Sequence, residues 1–137
     1  DPLWSRGLGD VYKRQVEEAG HEIVGVAAES KQALSLIEKS SPQFAFVDIQ
    51  LLDGPTGIDV GRHLASRSIP YVFVSGNLKR IPEDFAGALG AIEKPYTMNG
   101  LQNALEFIDT IVNGEHQSVT APPSLVLSPR LLAALSA

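Results

Sequence analysis

The apolar positions fall into short runs separated by polar stretches of helical period. Residues 22–28 contain Ile-Val-Gly-Val-Ala, a β-branched run that predicts a strand. Ser30 then offers a helix N-cap, with Ala33, Leu34 and Ile37 at helical spacing, and the Ser-Ser-Pro at 40–42 predicts the stop. Phe44-Ala-Phe-Val47 is unbroken apolar sequence ending in Asp48, which suits a strand buried on both faces of a parallel sheet. After a Gly/Pro-containing loop from Ile49 to Gly57, residues 59–66 predict a short helix with Val60 and Leu64 inward. Tyr71-Val-Phe-Val74 is a second fully apolar strand, and Ala91-Ile92 a third, shorter one ending at Lys94-Pro95. A helix over 99–112 follows, with Leu101, Leu105, Ile108 and Val112 on one stripe and Asn113-Gly114 as its stop. Residues 76–90 are long enough for a helix, but Pro82 and three glycines predict a short or irregular one. Residues 116–123 have linker composition, and 131–137 predict one or two frayed helical turns.

Strands alternating with helices predict an α/β fold with a parallel sheet covered on both faces. In such sheets chemistry collects beyond the C-terminal ends of the strands. Asp48, Ser75 and Lys94 occupy those ends, so the topology brings a carboxylate, a hydroxyl and an ammonium into one crevice. That set can accept a phosphoryl group: Asp48 as nucleophile, Ser75 donating to a phosphoryl oxygen, Lys94 neutralising another. Gly76 leaves room for a donor to approach, and the backbone carbonyl of Gln50 is placed to ligate magnesium beside Asp48. Each residue has a plainer role open to it: a capping carboxylate for Asp48, a turn hydroxyl for Ser75, a solvated cation for Lys94. Their coincidence at three strand ends favours the site.

Composition narrows the classes. The 137 residues hold no cysteine, 44% hydrophobic residues and a net charge of −5, which removes disulfide, thiolate-metal and cysteine-nucleophile chemistry and disfavours non-specific nucleic-acid binding. No apolar run reaches the roughly 18–20 residues of a membrane span, and we expect a cytoplasmic location. His21, His63 and His116 are scattered and predict no metal cluster. A haloacid-dehalogenase-like phosphatase would need an aspartate where Gln50 stands, and a serine hydrolase would need glycine at Phe73.

Asp48-Ile-Gln-Leu-Leu-Asp-Gly-Pro-Thr-Gly57, Phe73-Val-Ser-Gly76 and Lys94-Pro-Tyr96, in that order and each closing a strand, resemble a response-regulator receiver domain over residues 16–112. The second motif is similar to the receivers that carry Phe-Ala-Thr-Gly, and residues 21–28 and 48–59 resemble the receivers of bacterial general-stress regulators. The resemblance implies a CheY-like, flavodoxin-like fold of five βα units with strand order 2-1-3-4-5. It implies a phosphoacceptor at Asp48, a Mg²⁺ cofactor, a sensor histidine kinase or phosphotransfer protein as donor, and a downstream protein target met through the last two helices and strand. It implies a signalling domain that assists its own phosphorylation, not an enzyme with a substrate of its own. The alternative is a pseudo-receiver that binds protein without phosphoryl chemistry.

The chain departs from the family in two places. The first strand, with the acidic pair that holds magnesium, is expected to be missing or replaced. Residues 1–15 contain no four-residue apolar run and no acidic pair, and they resemble a translated sequencing-adapter artefact. They are read as a non-native segment; otherwise they form a divergent arm with Asp10 as lone acid. Glu17-Glu18 reads as a solvated helix face. A chain without that strand would leave 22–28 unpartnered and be unstable or misfolded. Residues 113–137 are expected to be a flexible tail. The second departure is Ala91, which stands three residues before Lys94 where receivers often carry a switching aromatic. Tyr96 is the nearest aromatic, so output is expected through 76–90.

Overall fold

In the computed structural model, residues 2–5, 17–18, 20, 25–51, 53–94, 97–113 and 121–136 are described. Their strands are β1 (Pro2–Ser5), β2 (Gly25–Ala27), β3 (Phe44–Asp48), β4 (Tyr71–Ser75), β5 (Gly90–Glu93) and β6 (Leu125–Leu127). The helices are α1 (Ser30–Ser40), α2 (Gly57–Ser66), α3 (Met98–Val112) and α4 (Pro129–Ser136), and 3₁₀ turns cover Leu78–Arg80 and Phe85–Gly87. One sheet joins all six strands in the order β2-β1-β3-β4-β5-β6. The first five run parallel, and β6 is antiparallel to β5. This is the flavodoxin-like order with one strand added. Among the described residues no helix is long and apolar enough to cross a membrane.

The continuous apolar runs become the interior strands because both faces of the sheet are covered. Every residue of β3 and β4 is buried. Side chains alternate along a strand, so each run feeds two cores. Phe44, Phe46, Val72 and Val74 pack with Leu101, Leu105 and Ile108 of α3. Ala45, Val47, Tyr71 and Phe73 pack with Ile37 of α1 and Val60 and Leu64 of α2. The α3 stripe is widened by Ala104, Phe107 and Ile111, while Val112, its last residue, is 40% exposed.

Two expectations are corrected. The place of the first strand is filled: Pro2–Ser5 lies between β2 and β3, pairing Leu3 with Gly25 and with Ala45. Its place is marked by backbone register with both neighbours rather than by an apolar run of four. Gly25–Ala27 therefore has a partner, and the argument for an unstable chain loses its premise. The expected tail is also structured over 121–136. Leu125–Leu127 pairs with β5, and Leu125, Leu127 and Leu131 enter the α3 core. Gly90 makes the pairing possible: a Cβ there would lie 2.4 Å from the Val126 carbonyl oxygen.

Candidate functional site

Asp48 and Ser75 are the last residues of β3 and β4, and Lys94 directly follows β5. Register carries them to one edge. Asp48 stands opposite Val74, Ser75 opposite Glu93, and the Lys94 N–H donates to the Ser75 carbonyl at 2.8 Å. The Lys94 ammonium donates to Asp48 Oδ2 at 2.5 Å. Asp48 Oδ1 accepts the Gln50 N–H at 3.1 Å, which turns the chain sharply out of the strand. The Asp48 side chain is only 9% exposed and that of Lys94 31%, so the charges meet where the buried strand end opens to solvent.

The cleft above them has a volume of about 500 Å³ and is bordered by Gln50, Ser75, Gly76 and Arg80 as well as the ion pair. A Cβ on Gly76 would meet nothing within 4 Å, so this border is open. The three residues expected at the site are all at its edge, but Ser75 is turned aside. Its hydroxyl donates to the Asn77 carbonyl at 3.0 Å and accepts the Asn77 N–H at 3.1 Å. Arg80 was not anticipated. Its guanidinium donates to Gln50 Oε1 at 3.1 Å across the cleft. The signal was the basic pair Lys79-Arg80 soon after Ser75-Gly76; a tight turn there returns the chain to the strand edge.

The loop under the site is pinned rather than free. Asp53 accepts the Ser30 N–H at 3.3 Å, the Ser30 hydroxyl at 2.5 Å and the Thr56 hydroxyl at 2.7 Å. Those hydroxyls, Ser30 first, hold its carboxyl below the ordinary aspartate value. Ser30 is thus the first helical residue of α1 and not its cap; Asp53 does the capping from across the sheet edge. Leu51 and Gly54 exchange backbone hydrogen bonds with Gly54 at φ 116°, a conformation that glycine adopts freely. Gly57 lets α2 start against β3, since a Cβ there would lie 2.0 Å from the Asp48 carbonyl oxygen.

Receiver domains as a family generally bind Mg²⁺, a hard cation that takes several oxygen ligands. The described residues do not fit it. The cleft offers one carboxylate, Asp48, whose two oxygens accept from Lys94 and Gln50. Among the described residues no group of three acidic or histidine side chains could hold a metal. Glu17 and Glu18 are exposed and helical, while Asp10 and Tyr96 lie outside the described residues. Ala91 is fully buried opposite Phe73, so no aromatic side chain occupies the position three residues before Lys94.

The response regulator receiver domain model matches residues 6–106. The chain is 32% identical over 96 residues to the transcriptional regulatory protein PdtaR of Mycobacterium tuberculosis, covering 66% of this chain and 46% of that protein. It is 34% identical over 67 residues to the phyllosphere-induced regulator PhyR of Methylorubrum extorquens, covering 47% of this chain and 25% of that protein. The chain thus spans less than half the length of these curated relatives. In fold it is similar to the signal receiver domain of a modulated diguanylate cyclase from Desulfovibrio desulfuricans, with a TM-score of 0.67 at 21% identity over 82% of this chain and 94% of that one.

Proposed function

The chain belongs to the response regulator receiver domain family, and from that premise we propose that it takes a phosphoryl group onto Asp48 from a histidine kinase or phosphotransfer protein. The observation that carries this reading is the Asp48–Lys94 ion pair at the mouth of an open cleft between strand ends. An Asp48 carboxylate oxygen attacks the donor phosphorus. The O–P bond forms as the bond to the donor nitrogen breaks, and the electron pair leaves with that nitrogen. Formation of the acyl phosphate removes the carboxylate charge of Asp48, so the Lys94 ammonium moves its hydrogen bond to a phosphoryl oxygen. Ser75 reaches another by rotating its hydroxyl away from Asn77. The domain positions and neutralises the transferred group, and it acts on no separate substrate. In a cytoplasmic two-component pathway the phosphorylated form meets a downstream protein; direct nucleic-acid contact is not part of this reading.

The test is treatment of the chain with phosphoramidate, followed by intact-mass measurement. A gain of one phosphoryl group that is labile in base and missing from Asp48→Asn supports the reading. An unchanged mass in a cooperatively folded sample overturns it. That outcome would favour a protein-binding pseudo-receiver, a reading drawn from the single carboxylate among the described residues of the cleft.

A further inference from the structure

Arg80 is a second cation lining the cleft that holds Asp48 and Lys94. Its guanidinium is spent on a neutral amide oxygen, Gln50 Oε1, at 3.1 Å. A dianionic phosphoryl group arriving on Asp48, two residues from Gln50, is a stronger acceptor. Hydrogen bonds between ionised partners are shorter and about twice as strong as neutral ones, and the planar guanidinium fits two phosphoryl oxygens at once. Among the described residues that line the cleft, Lys94 and Arg80 are the side-chain cations that can meet the phosphoryl charge.

The turn that carries Arg80 lies at the surface beside the cleft. None of Leu78–Arg80 is fully buried, and Leu78 rests half-buried against the core that Val60 and Leu64 help form. It is held at its start by Asn77, whose side chain accepts the Lys79 N–H at 3.0 Å and whose backbone is bonded to the Ser75 hydroxyl. It is held at its end by the Arg80–Gln50 bond. Beyond it, Ile81 and Phe85 pack against the core, Asp84 pairs with Arg62 at 3.3 Å, and the Ala86 carbonyl accepts the buried Tyr71 hydroxyl at 2.5 Å. The turn's two polar tethers, at Asn77 and at Gln50, therefore lie on residues that border the cleft.

Resting on the phosphoacceptor reading, we propose that Arg80 leaves Gln50 to bind the phosphoryl group on Asp48, and that this transfer shifts the 77–80 turn as the signal of phosphorylation. The position three residues before Lys94 holds Ala91, so this lever takes the place of an aromatic switch.

The experiment uses the full chain with phosphoramidate, in wild type, Arg80→Ala and Arg80→Lys. Asp48 oxygen attacks phosphorus, the P–N bond breaks, and ammonia leaves with the electron pair. Phosphorylation rate is read by intact mass and the turn by hydrogen exchange over 76–83. Arg80 is exposed, so thermal melting of the variants should match wild type. Arg80→Ala is expected to be phosphorylated roughly tenfold more slowly, with partial recovery in Arg80→Lys. The exchange change seen on phosphorylating wild type should vanish in Arg80→Ala. Equal rates and equal exchange changes in wild type and Arg80→Ala overturn the Arg80 proposal and leave the phosphoacceptor reading standing. A folded wild type that gains no phosphoryl group overturns that reading itself.

Discussion

Lys94 and Asp48, 46 residues apart in sequence, meet at 2.5 Å because the β3–β4–β5 register sets both at one sheet edge. Lys94→Met keeps the stem and removes the charge, leaving a carboxylate that is nine-tenths buried without its cation. We expect a loss of about 1–2 kcal/mol in urea unfolding, toward the low side for a charged hydrogen bond because Lys94 is partly solvated. Phosphorylation of Asp48 should slow by roughly a hundredfold, the scale of removing one preorganised donor to developing charge. An unchanged rate would show that Lys94 plays no part in the transfer.

Gly57 is a packing requirement. A methyl group there would sit on the Asp48 carbonyl and 2.7 Å from Ile49 Cα. These are backbone atoms that cannot swing away. Gly57→Ala should lower the unfolding free energy by about 2–3 kcal/mol, against a gain in a freely exposed helix. Comparison with Gly76→Ala, where nothing lies within 4 Å, separates the clash from the general effect of losing a glycine.

Leu131 tests whether 121–136 belongs to the domain. It is 7% exposed and packs in the core beneath α3. Leu131→Ala should cost about 2 kcal/mol, whereas Leu132→Ala, at a position 51% exposed, should change little. Equal, negligible effects at the two positions would return the segment to the status of a tail.

Glu38 joins α1 to α2, taking Arg67 at 2.6 Å and His63 at 2.8 Å. The His63 hydrogen bond, ahead of the Arg67 charge, holds its carboxyl below the ordinary glutamate value of 4.5. A depressed value in the folded state means that the clasp stabilises above the unfolded value and fades as pH falls through the folded one. The difference in urea midpoint between wild type and Glu38→Gln should be steady near neutrality and shrink as pH drops below about 4.5. A difference that persists undiminished at pH 3 would remove the clasp from the account of acid stability.

What could be read from the sequence followed the strength of each local signal. The buried strands at 44–48 and 71–75 were unmistakable, because burial on both faces demands unbroken apolar runs. Their polar last residues then located the site. Pro2–Ser5 was passed over because a four-residue strand with a proline and a serine carries almost no apolar signature, and its place is set by pairing with both neighbours. Leu125–Leu127 was missed for a related reason: three residues after a proline-bearing stretch read as linker until β5 supplies a partner. Arg80 escaped because only the tight 3₁₀ turn returns it to the cleft, and no periodicity encodes that return. Asp53 ties the loop beneath the site to the first turn of α1, a long-range bond that no local pattern encodes.

The placement of β1 and β6 also governs how this chain meets its own copies. The long, fully apolar β3 and β4 lie inside the sheet, and the two outermost strands, Gly25–Ala27 and Leu125–Leu127, are three residues each. An exposed strand edge templates fibrils and strand exchange in proportion to the ladder it presents. Among the described residues a neighbouring molecule finds a three-residue rung on either side. Detachment of 121–136 would uncover the edge of β5, and loss of Pro2–Ser5 would uncover β3 itself, so these two modest strands are what keeps the most aggregation-prone sequence in the molecule out of reach.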